Sequence, residues 1–355
     1  MVKLLCEGLN RRDDVVASAL VCNEGLSTRS DMVDGVEVTR VASLGRVWSE
    51  PLAPTFPLRL LRSMADIYHF HSPFPLGEIA ALKMSKRAPM VTWYHSDVVR
   101  QRFFLRAYRR LMSEFLARNR AILVSSPNLV ATSPVLREFW SSCRVVHFGI
   151  DTRRFELNAS IQKRAGEIRE ESASDAPLVL FVGRLVYYKG LECLIEAMCS
   201  VDAHIMVIGK GPLEKRLRRL AEEKGVSGRL HLVSWVRDEE MPAYYHACDM
   251  LVLPSTARSE AFGLVLLEAQ ACGKPTVSTE LGTGTSYANL DGVTGFVVPP
   301  GDAGALAAAI KRLVRDRALR EEMGRRARER VLAEFNLEQM ADRVADIYNE
   351  IIYGR

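Results

Sequence analysis

The sequence predicts an α/β protein with two doubly wound parallel sheets. Short apolar runs, bounded by Gly, Pro or polar residues, alternate with segments of helical periodicity, as in βαβ units. The alternation restarts after a polar stretch at residues 160–177, which we interpret as a connector between domains. A chain of 355 residues fits two domains of ordinary size, and 48% hydrophobic residues are ample for two cores.

The first half opens on a helical segment at residues 1–12, followed by a series of strands. We predict strands at residues 15–22, 36–41, 66–71, 89–95, 121–125 and 143–147. We predict helices at residues 57–63 and 76–86.

The second half repeats this organisation. We predict strands at residues 178–182, 204–208, 230–233, 250–253, 275–278 and 295–298. Helices are expected at residues 214–224 and 239–247, and the chain is mainly helical from the N-cap residue Asp302 onward.

Charge and cysteine usage restrict the functional classes. Residues 1–151 contain 20 Lys and Arg against 14 Asp and Glu, whereas the remaining residues contain 28 against 29, so an anionic partner is expected on the first half only. The seven cysteines include no C-x-x-C pair, which argues against a zinc site and for a reducing compartment. No apolar run approaches the length of a membrane span, and no signal peptide is visible, so we expect a cytoplasmic protein.

Two glutamates mark the segment from Ser259 to Pro275. Glu260 lies in the predicted loop after the strand at 250–253, and Glu268 lies on the helix that Gly263 opens. Ligands of open α/β sheets bind at this edge, and a helix N-terminus suits a phosphate. Glu268 would then reach a ribose hydroxyl and Glu260 a sugar beyond the phosphates. Two solvated glutamates beside a buried helix would give the same pattern.

A second loop carries two cations. Arg184 and Lys189 lie in the sequence G-R-L-V-Y-Y-K-G between Gly183 and Gly190, directly after the strand at 178–182. Such cations stabilise the negative charge that grows on a diphosphate leaving group without any metal ion. The alternative is an exposed basic loop without a ligand. The presence of the glutamate pair in the same sequence favours the diphosphate interpretation.

Three histidines end strands in the first half. His95 ends the strand at 89–95, and a residue at that position points into the crevice of an α/β domain. His69 and His71 alternate on the preceding strand and therefore share one face. For His69, the alternative is a core histidine whose ring nitrogens are hydrogen-bonded within the protein. For His71, the alternative is a structural role in the crevice.

The segment 100–120 contains seven arginines with interleaved aromatic residues. On a helix this pattern gives a basic face beside an aromatic face. Either the aromatic residues belong to the core and the arginines are solvated, or the segment docks on an anionic membrane surface. Nucleic acid is not expected, because no binding motif accompanies the charge.

Two of these motifs resemble one family. E-A-F-G-L-V-L-L-E, from Glu260 to Glu268, resembles the Glu-x7-Glu signature of retaining GT-B glycosyltransferases of family 4. G-R-L-V-Y-Y-K-G resembles the G-R-L-x-x-x-K-G loop of the same family. The resemblance runs from about residue 66 to the C-terminus, and it implies two Rossmann-like domains that face each other across a crevice.

The resemblance also implies roles for residues in the second domain. Gly183, Arg184 and Lys189 would hold the donor diphosphate, and the backbone of Val236 would hold the nucleobase. Glu268 would hold the ribose. Glu260 would hold the sugar hydroxyls, together with the backbone of Phe262, Gly263 and Leu264. In the first domain, His95 and Ser96 would lie near the transferred sugar and the acceptor. His95, Glu260, Arg184 and Lys189 are therefore the expected catalytic residues, and no metal or other cofactor is expected.

The expected reaction is transfer of a hexose from a UDP- or GDP-linked sugar to a glycan or lipid-linked glycan in cell-surface polysaccharide synthesis. A nucleotide-sugar epimerase on the same architecture and an inactive sugar-nucleotide-binding subunit are the alternatives. The expected domains are an acceptor-binding domain at residues 1–155, a donor-binding domain at residues 156–335 and a C-terminal helix at 336–355 that crosses back to the first domain. The protein is expected to be cytoplasmic, with the 100–120 segment peripheral on the inner face of the membrane.

One departure from the family concerns the N-terminus. Family members open with a strand and a Gly-rich loop before their first helix, whereas residues 1–12 already resemble that helix. In a doubly wound sheet the first strand lies centrally, so its absence would leave two strands with unpaired backbone groups. We therefore expect the chain to be poorly stable or inactive, and about 15–25 additional upstream residues to restore both properties.

Overall fold

The computed structural model describes residues 1–47, 50–84, 88–97 and 105–354. The chain divides into two compact units. Unit 1 comprises Met1–Gly149 and Leu337–Arg355, and unit 2 comprises Ile150–Asn336. The first boundary therefore falls a few residues before the expected one, and the C-terminal helix belongs to unit 1.

Unit 1 contains two main sheets. The first has the order β1-β3-β2, formed by β1 (Ser18–Cys22), β2 (Arg29–Val33) and β3 (Val36–Val41), with β1 parallel and β2 antiparallel to β3. A short hairpin of β4 (Arg46–Val47) and β5 (Glu50–Pro51) follows. The second sheet is parallel throughout, in the order β6 (Tyr68–Ser72), β7 (Met90–Tyr94), β8 (Ala121–Val124) and β9 (Cys143–Val145).

The α-helices of unit 1 accompany these sheets. They are α1 (Val2–Asn10), α2 (Phe56–Arg62), α3 (Pro75–Lys83), α4 (Leu105–Ala117), α5 (Pro127–Thr132) and the C-terminal α14 (Leu337–Tyr353). One hydrophobic cluster joins α2, α3 and α4 to β6, β7 and β8, and Leu20 of β1 packs against it. Helix α14 packs on α1 so closely that a Cβ atom on Gly8 would lie 3.0 Å from Cβ of Ala341.

Unit 2 contains one six-stranded parallel sheet in the order β12-β11-β10-β13-β14-β15. Its strands are β10 (Leu178–Val182), β11 (His204–Ile208), β12 (Leu230–Val233), β13 (Met250–Leu253), β14 (Thr276–Thr279) and β15 (Gly295–Val298). The residues of β13 and β14 are all buried, as their continuous apolar or small side chains require in a sheet covered on both faces. The strand order reverses between β10 and β13, and this position is a topological switch point.

The helices of unit 2 follow the strands in turn. They are α6 (Ala159–Ser172), α7 (Leu191–Met198), α8 (Glu214–Glu223), α9 (Met241–Ala247), α10 (Leu264–Ala271), α11 (Thr285–Ala288), α12 (Ala303–Arg315) and α13 (Arg317–Glu334). The side chain of Asp302 accepts a hydrogen bond from the N–H of Ala305, as its predicted N-cap position requires.

Two expectations for secondary structure were wrong. The expected connector at residues 160–177 is largely helix α6, which Asn158 caps and which buries Ala165 and Ile168. Its few apolar residues had hidden the helix among charged ones. Strand β2 was not predicted, because four of its five residues are exposed and carry no alternating apolar pattern.

Helix α4 contains most of the described part of the 100–120 segment, for which the sequence left a membrane-docking and a core interpretation open. Met112, Phe115 and Leu116 are buried in the core of unit 1, whereas Arg110 is exposed. The described part of the 100–120 segment therefore matches the interpretation of solvated arginines over core residues, while residues 98–104 lie outside the description. None of the described helices combines the length and the apolar composition that a bilayer crossing requires.

Candidate functional site

The predicted loops of unit 2 converge at the switch point of its sheet. The loop after β10 contains Gly183 and Arg184, and the neighbouring loop after β13 contains Glu260. Two glycines allow this close packing. Gly190 has φ +69°, and a Cβ atom there would lie 1.9 Å from the carbonyl oxygen of Pro254. A Cβ atom on Gly209 would lie 2.0 Å from the carbonyl oxygen of Gly183, so only glycine fits at either position.

A cavity of about 410 Å³ opens at this edge of the sheet. Its walls contain the predicted residues Gly183, Arg184, Val236 and Glu268. The remaining wall residues are Arg154, Phe155, Val182, Ile208, Gly209, Lys210, Ser234, Trp235, Asp238 and Met241. The cavity therefore joins two carboxylates, several cations and two aromatic rings, a set suited to a phosphorylated ligand with a planar ring.

Glu268 lies on the second turn of α10, with its side chain half-buried at the cavity wall. The hydroxyl of the fully buried Tyr245 donates a short hydrogen bond to Oε2 of Glu268. Burial raises the pKa of Glu268, and the hydrogen bond from Tyr245 and the charge of Arg154 oppose that rise. One carboxylate oxygen is thus held by the protein, while Oε1 forms no hydrogen bond within the described residues and is available to accept from a ligand hydroxyl.

Lys189 and Glu260 form a nearly buried ion pair beside this cavity. Nζ of Lys189 lies 2.5 Å from Oε2 of Glu260, and the side chains are 12% and 10% exposed. The hydroxyl of Ser255 donates to the same oxygen at 2.9 Å. Lys189 does not line the cavity wall itself, but its Nζ lies 3.4 Å from the position of a Cβ atom on Gly183, which does.

The start of α10 completes the arrangement. Gly263 is its N-cap residue, in the left-handed conformation with φ +80°. Phe262 before it is buried, and Leu264 after it is half-buried. The N–H groups of a first helical turn lack partners within the helix and carry partial positive charge, so this turn favours an anion.

Sequence reasoning missed several residues of the site. Arg154, Trp235 and Asp238 line the cavity, Tyr245 fixes Glu268, and Ser255 fixes Glu260. Ser255 carried a usable signal, since it lies two residues after the end of the buried strand β13. Tyr245 is separated from Glu268 by 23 residues, and no local pattern relates the two.

The strand ends of unit 1 bring the predicted histidines together. Nδ1 of His71 lies 2.7 Å from Nε2 of His95, and their rings stack at 5.0 Å. Phe148 stacks on His95 at 5.6 Å, which gives the apolar residue at that position a packing role. Ser96 follows His95 and is half-buried.

The histidines of this cluster are neutral near neutral pH. Burial lowers the pKa of His95 to about 4 and that of His69 to about 3, and burial also holds the pKa of His71 well below its usual value. Nδ1 of His69 lies 2.6 Å from the hydroxyl of Tyr348, so the α14 helix supplies its partner. A neutral imidazole donates with one nitrogen and accepts with the other, so the His71–His95 pair orients both rings.

Family models match both halves of the chain. Residues 1–154 match the model described as Glycosyltransferase Family 4, and residues 164–330 match the model described as Glycosyl transferases group 1. The chain is 39% identical over 272 residues to the D-rhamnosyltransferase WbpZ of Pseudomonas aeruginosa, covering 77% of this chain and 70% of that protein. It is 34% identical over 290 residues to O-antigen chain mannosyltransferase C of Escherichia coli, covering 82% and 76%.

Solved structures show the same fold. Sucrose-phosphate synthase from Thermosynechococcus elongatus superposes with a TM-score of 0.83 at 24% identity, covering all of this chain and 93% of that one. HepE of Anabaena, solved in complex with UDP, superposes with a TM-score of 0.74 at 19% identity, covering 94% and 99%. The two Rossmann-like units and these relatives together identify the chain as a glycosyltransferase of the GT-B class, a member of Glycosyltransferase Family 4.

Proposed function

We propose that the enzyme transfers a hexose from a nucleotide diphosphate sugar to a glycan or lipid-linked glycan in cell-surface polysaccharide synthesis, with retention of configuration and without a metal ion. The cavity of unit 2 carries this proposal, because Glu268 and the Gly183–Arg184 turn line it together. Its volume of about 410 Å³ is typical of small-molecule sites, which span roughly 300–1,000 Å³.

The donor would extend from Val236 towards the Lys189–Glu260 pair. The nucleobase would lie at Val236 and Trp235, and a ribose hydroxyl would donate to Oε1 of Glu268. The diphosphate would lie at Arg184, which is exposed at the cavity. Lysine has three N–H donors, so Lys189 can contact a phosphate oxygen while it keeps its bond to Glu260. Glu260 would accept from the sugar hydroxyls.

Transfer breaks the bond between the anomeric carbon and the diphosphate and forms a bond from that carbon to an acceptor oxygen. The bonding electrons leave with the diphosphate, and the acceptor proton is released to a phosphate oxygen. Arg184, Lys189 and the first turn of α10 would stabilise the leaving group. Removal of one such preorganised donor costs about 10²–10³ in kcat by analogy with oxyanion sites. We propose that these groups take the place of a metal ion.

In unit 1, we assign His95 and Ser96 to the acceptor and the transferred sugar. The neutral His95 ring, held by His71, is suited to exchange hydrogen bonds with sugar hydroxyls. Replacement of His95 by Ala is expected to lower kcat while the donor Kd stays within twofold of the native value. A donor Kd that rises as much as kcat falls would contradict this assignment.

The names of two relatives narrow the proposed sugar. One is named for D-rhamnose and the other for mannose, and D-rhamnose is mannose without its 6-hydroxyl. We therefore propose a hexose of manno configuration. A thermal-shift panel of GDP-mannose, UDP-glucose and ADP-glucose tests this, since a ligand at 100 times its Kd adds about 2.7 kcal/mol of stability. Stabilisation by UDP-glucose alone would contradict the manno assignment.

Turnover of the purified full chain separates the remaining possibilities. A transferase releases nucleoside diphosphate and glycosylates a lipid-linked acceptor; an epimerase would change the donor without any acceptor, and an inactive subunit would bind the donor without turnover. The anomeric configuration of the product, read by NMR, tests retention. Activity that survives EDTA supports the metal-free mechanism, whereas loss that Mn²⁺ or Mg²⁺ restores contradicts it.

A further inference from the structure

Tyr245 is a buried polar residue whose hydrogen-bond partner belongs to the cavity of unit 2. Its side chain is fully buried on helix α9, and its hydroxyl donates to Oε2 of Glu268 on helix α10. A buried phenol hydroxyl needs a hydrogen-bond partner, and any backbone carbonyl would meet that need. The partner here is a carboxylate at the cavity wall, so the bond acts on a residue of the site.

The packing around Tyr245 fixes the position from which it donates. Its ring meets the ring of Phe155 edge-on, with centroids 6.0 Å apart, and Phe155 also lines the cavity. Nε2 of the next residue, His246, donates to the carbonyl oxygen of Phe155 at 2.9 Å. Two successive residues of α9 therefore hold this helix against the cavity wall, and the Tyr245 hydroxyl stays in place beside Glu268.

The two oxygens of the Glu268 carboxylate have different surroundings. Oε2 accepts from Tyr245, whereas Oε1 accepts no hydrogen bond from the described residues. The side chain is half-buried, so its open oxygen can be reached from the cavity. Since a carboxylate held at one oxygen by a fixed partner presents the other oxygen in a defined direction, Tyr245 determines where Oε1 lies.

The hydrogen bond also favours the ionised form of Glu268. Burial raises the pKa of this carboxyl, and the bond from Tyr245 opposes that rise more strongly than the charge of Arg154 does. Burial raises the pKa of Tyr245 well above its ordinary value, so the proton stays on the phenol and the carboxylate accepts. Without this hydroxyl, Glu268 would take up a proton at a higher pH.

Other titratable and charged groups surround Glu268. They are Arg154, Asp238, Cys272, Arg184 and Lys210, from the loops and helices that border the cavity or adjoin it. The charge of Arg154 lowers the pKa of Glu268, and the charge of Asp238 raises it. All of these groups are retained when the Tyr245 hydroxyl alone is removed, so a change in the pKa of Glu268 can be ascribed to that hydroxyl.

We propose that Tyr245 is a positioning residue of the donor site, which holds the Glu268 carboxylate and aims its Oε1 at a ribose hydroxyl. The assignment rests on the proposed function, since it takes the ligand of the cavity to be a nucleoside diphosphate sugar. Tyr245 touches no substrate and acts through Glu268. The variant Tyr245→Phe removes the hydroxyl and keeps the ring, so it tests this role without opening a cavity in the core.

Carbon-13 NMR of the full chain without ligand gives the first test. Glutamate labelled at Cδ reports the titration of each carboxyl, and Glu268→Gln identifies the resonance of Glu268 by its loss. In Tyr245→Phe the pKa of Glu268 is expected to rise by about one to two units above its native value. The matched control Tyr244→Phe removes the neighbouring hydroxyl, which Arg164 contacts, and is expected to leave this pKa unchanged. An equal pKa in Tyr245→Phe and the native chain would overturn the proposal.

Isothermal titration calorimetry with GDP and UDP between pH 5 and pH 8 gives the second test. For the nucleotide that the native chain binds more tightly, the pH at which Tyr245→Phe loses affinity is expected to move up by the same one to two units. In a Glu268→Gln background, Tyr245→Phe is expected to add no pH-dependent change. An equal loss of affinity at every pH would assign Tyr245 a packing role and overturn the proposal.

The two measurements separate this proposal from the function on which it rests. If the native chain binds neither nucleotide, the proposed function is contradicted and the positioning role falls with it, whatever the NMR result. If the native chain binds a nucleotide but the pKa of Glu268 is the same with and without the Tyr245 hydroxyl, the positioning role alone is overturned.

Discussion

Nζ of Lys189 and Oε2 of Glu260 lie 2.5 Å apart, although 71 residues separate them in the sequence. Both side chains are nearly buried, so each charge depends on the other for its solvation. From the sequence, Lys189 was expected to hold the diphosphate and Glu260 the sugar hydroxyls. In the structure they form one neutral unit, which also fixes the two loops of the switch point to each other.

The first prediction concerns this pair. Lys189→Ala leaves Glu260 buried without its cation, and Glu260→Gln leaves Lys189 without its anion, so each single variant is expected to lose about 3 kcal/mol or more of unfolding free energy. The double variant is expected to lose less than the sum of the two, because neither charge is then left behind. Urea unfolding followed by circular dichroism measures all four proteins, and additive losses would show that the contact carries no coupling.

The second prediction separates binding from stability at Glu268. Burial raises the pKa of this carboxyl, so its ionised form costs stability above the ordinary pKa of glutamic acid. Glu268→Gln removes that cost and keeps an acceptor for Tyr245, so the ligand-free variant is expected to be as stable as the native chain or more stable at neutral pH. Its donor affinity is expected to fall about tenfold or more, since it loses a hydrogen bond to a charged acceptor.

The native protein should also lose donor affinity on acidification. The carboxylate is protonated as the pH falls through its raised pKa, and this happens at a higher pH than for an ordinary glutamate. Isothermal titration calorimetry with the donor nucleotide between pH 5 and pH 8 measures both effects. An unchanged Kd for Glu268→Gln at neutral pH would remove this residue from the donor site.

Some of these relationships were readable in the sequence and others were not. The loop after β13 and the start of α10 follow from local signals, a buried apolar run and then Gly263, and so Glu260 and Glu268 were placed correctly on their elements. The Lys189–Glu260 contact depends on the order of strands in the sheet, which local pattern does not specify. The same holds for Arg169, whose Nη1 lies 2.7 Å from Asp249 across 80 residues.

Exposure limited the prediction at the edges of the fold. Strand β2 has almost no buried face, so its side chains are polar and give no period-two signal. Helix α6 buries only a few positions among many charged ones, and its composition resembled that of a linker. Where burial is slight, the sequence is free to vary, and the pattern that reveals an element is lost.

The third prediction is acid sensitivity of unit 1. His69, His71 and His95 are half-buried and neutral, and desolvation lowers the pKa to about 3 for His69 and about 4 for His95. In the unfolded chain a histidine takes up a proton below about pH 6.5. Acidification below about pH 6.5 therefore lowers the unfolding free energy by about 1.4 kcal/mol per pH unit for each histidine. Above that pH these histidines leave the unfolding free energy unchanged.

Unfolding at pH 7.5 and pH 5.5 measures this slope. The matched variant His69→Phe keeps a ring to stack on His71 but cannot be protonated, so its unfolding free energy should fall less steeply with acid, by one proton per molecule. A native-like slope in this variant would mean that His69 titrates normally in the folded protein. Because the comparison is between slopes, a general loss of stability in the variant does not affect it.

The last prediction concerns the edges of β1 and β6. In the described structure, β1 pairs only with β3 and β6 only with β7, yet Leu20 of β1 packs on the same hydrophobic cluster as Tyr68 of β6. Residues at the centre of β6 are half-buried, whereas every residue of β7 is buried. Since alternate residues of a strand direct their amides to opposite sides, and Tyr68 donates to Pro89 on the β7 side, the amides of His69 and His71 are directed to the other edge. They are expected to exchange hydrogen faster than the amide of Phe70. Hydrogen exchange followed by NMR measures the three amides, and equal protection of all three would show that this edge of β6 is shielded from solvent.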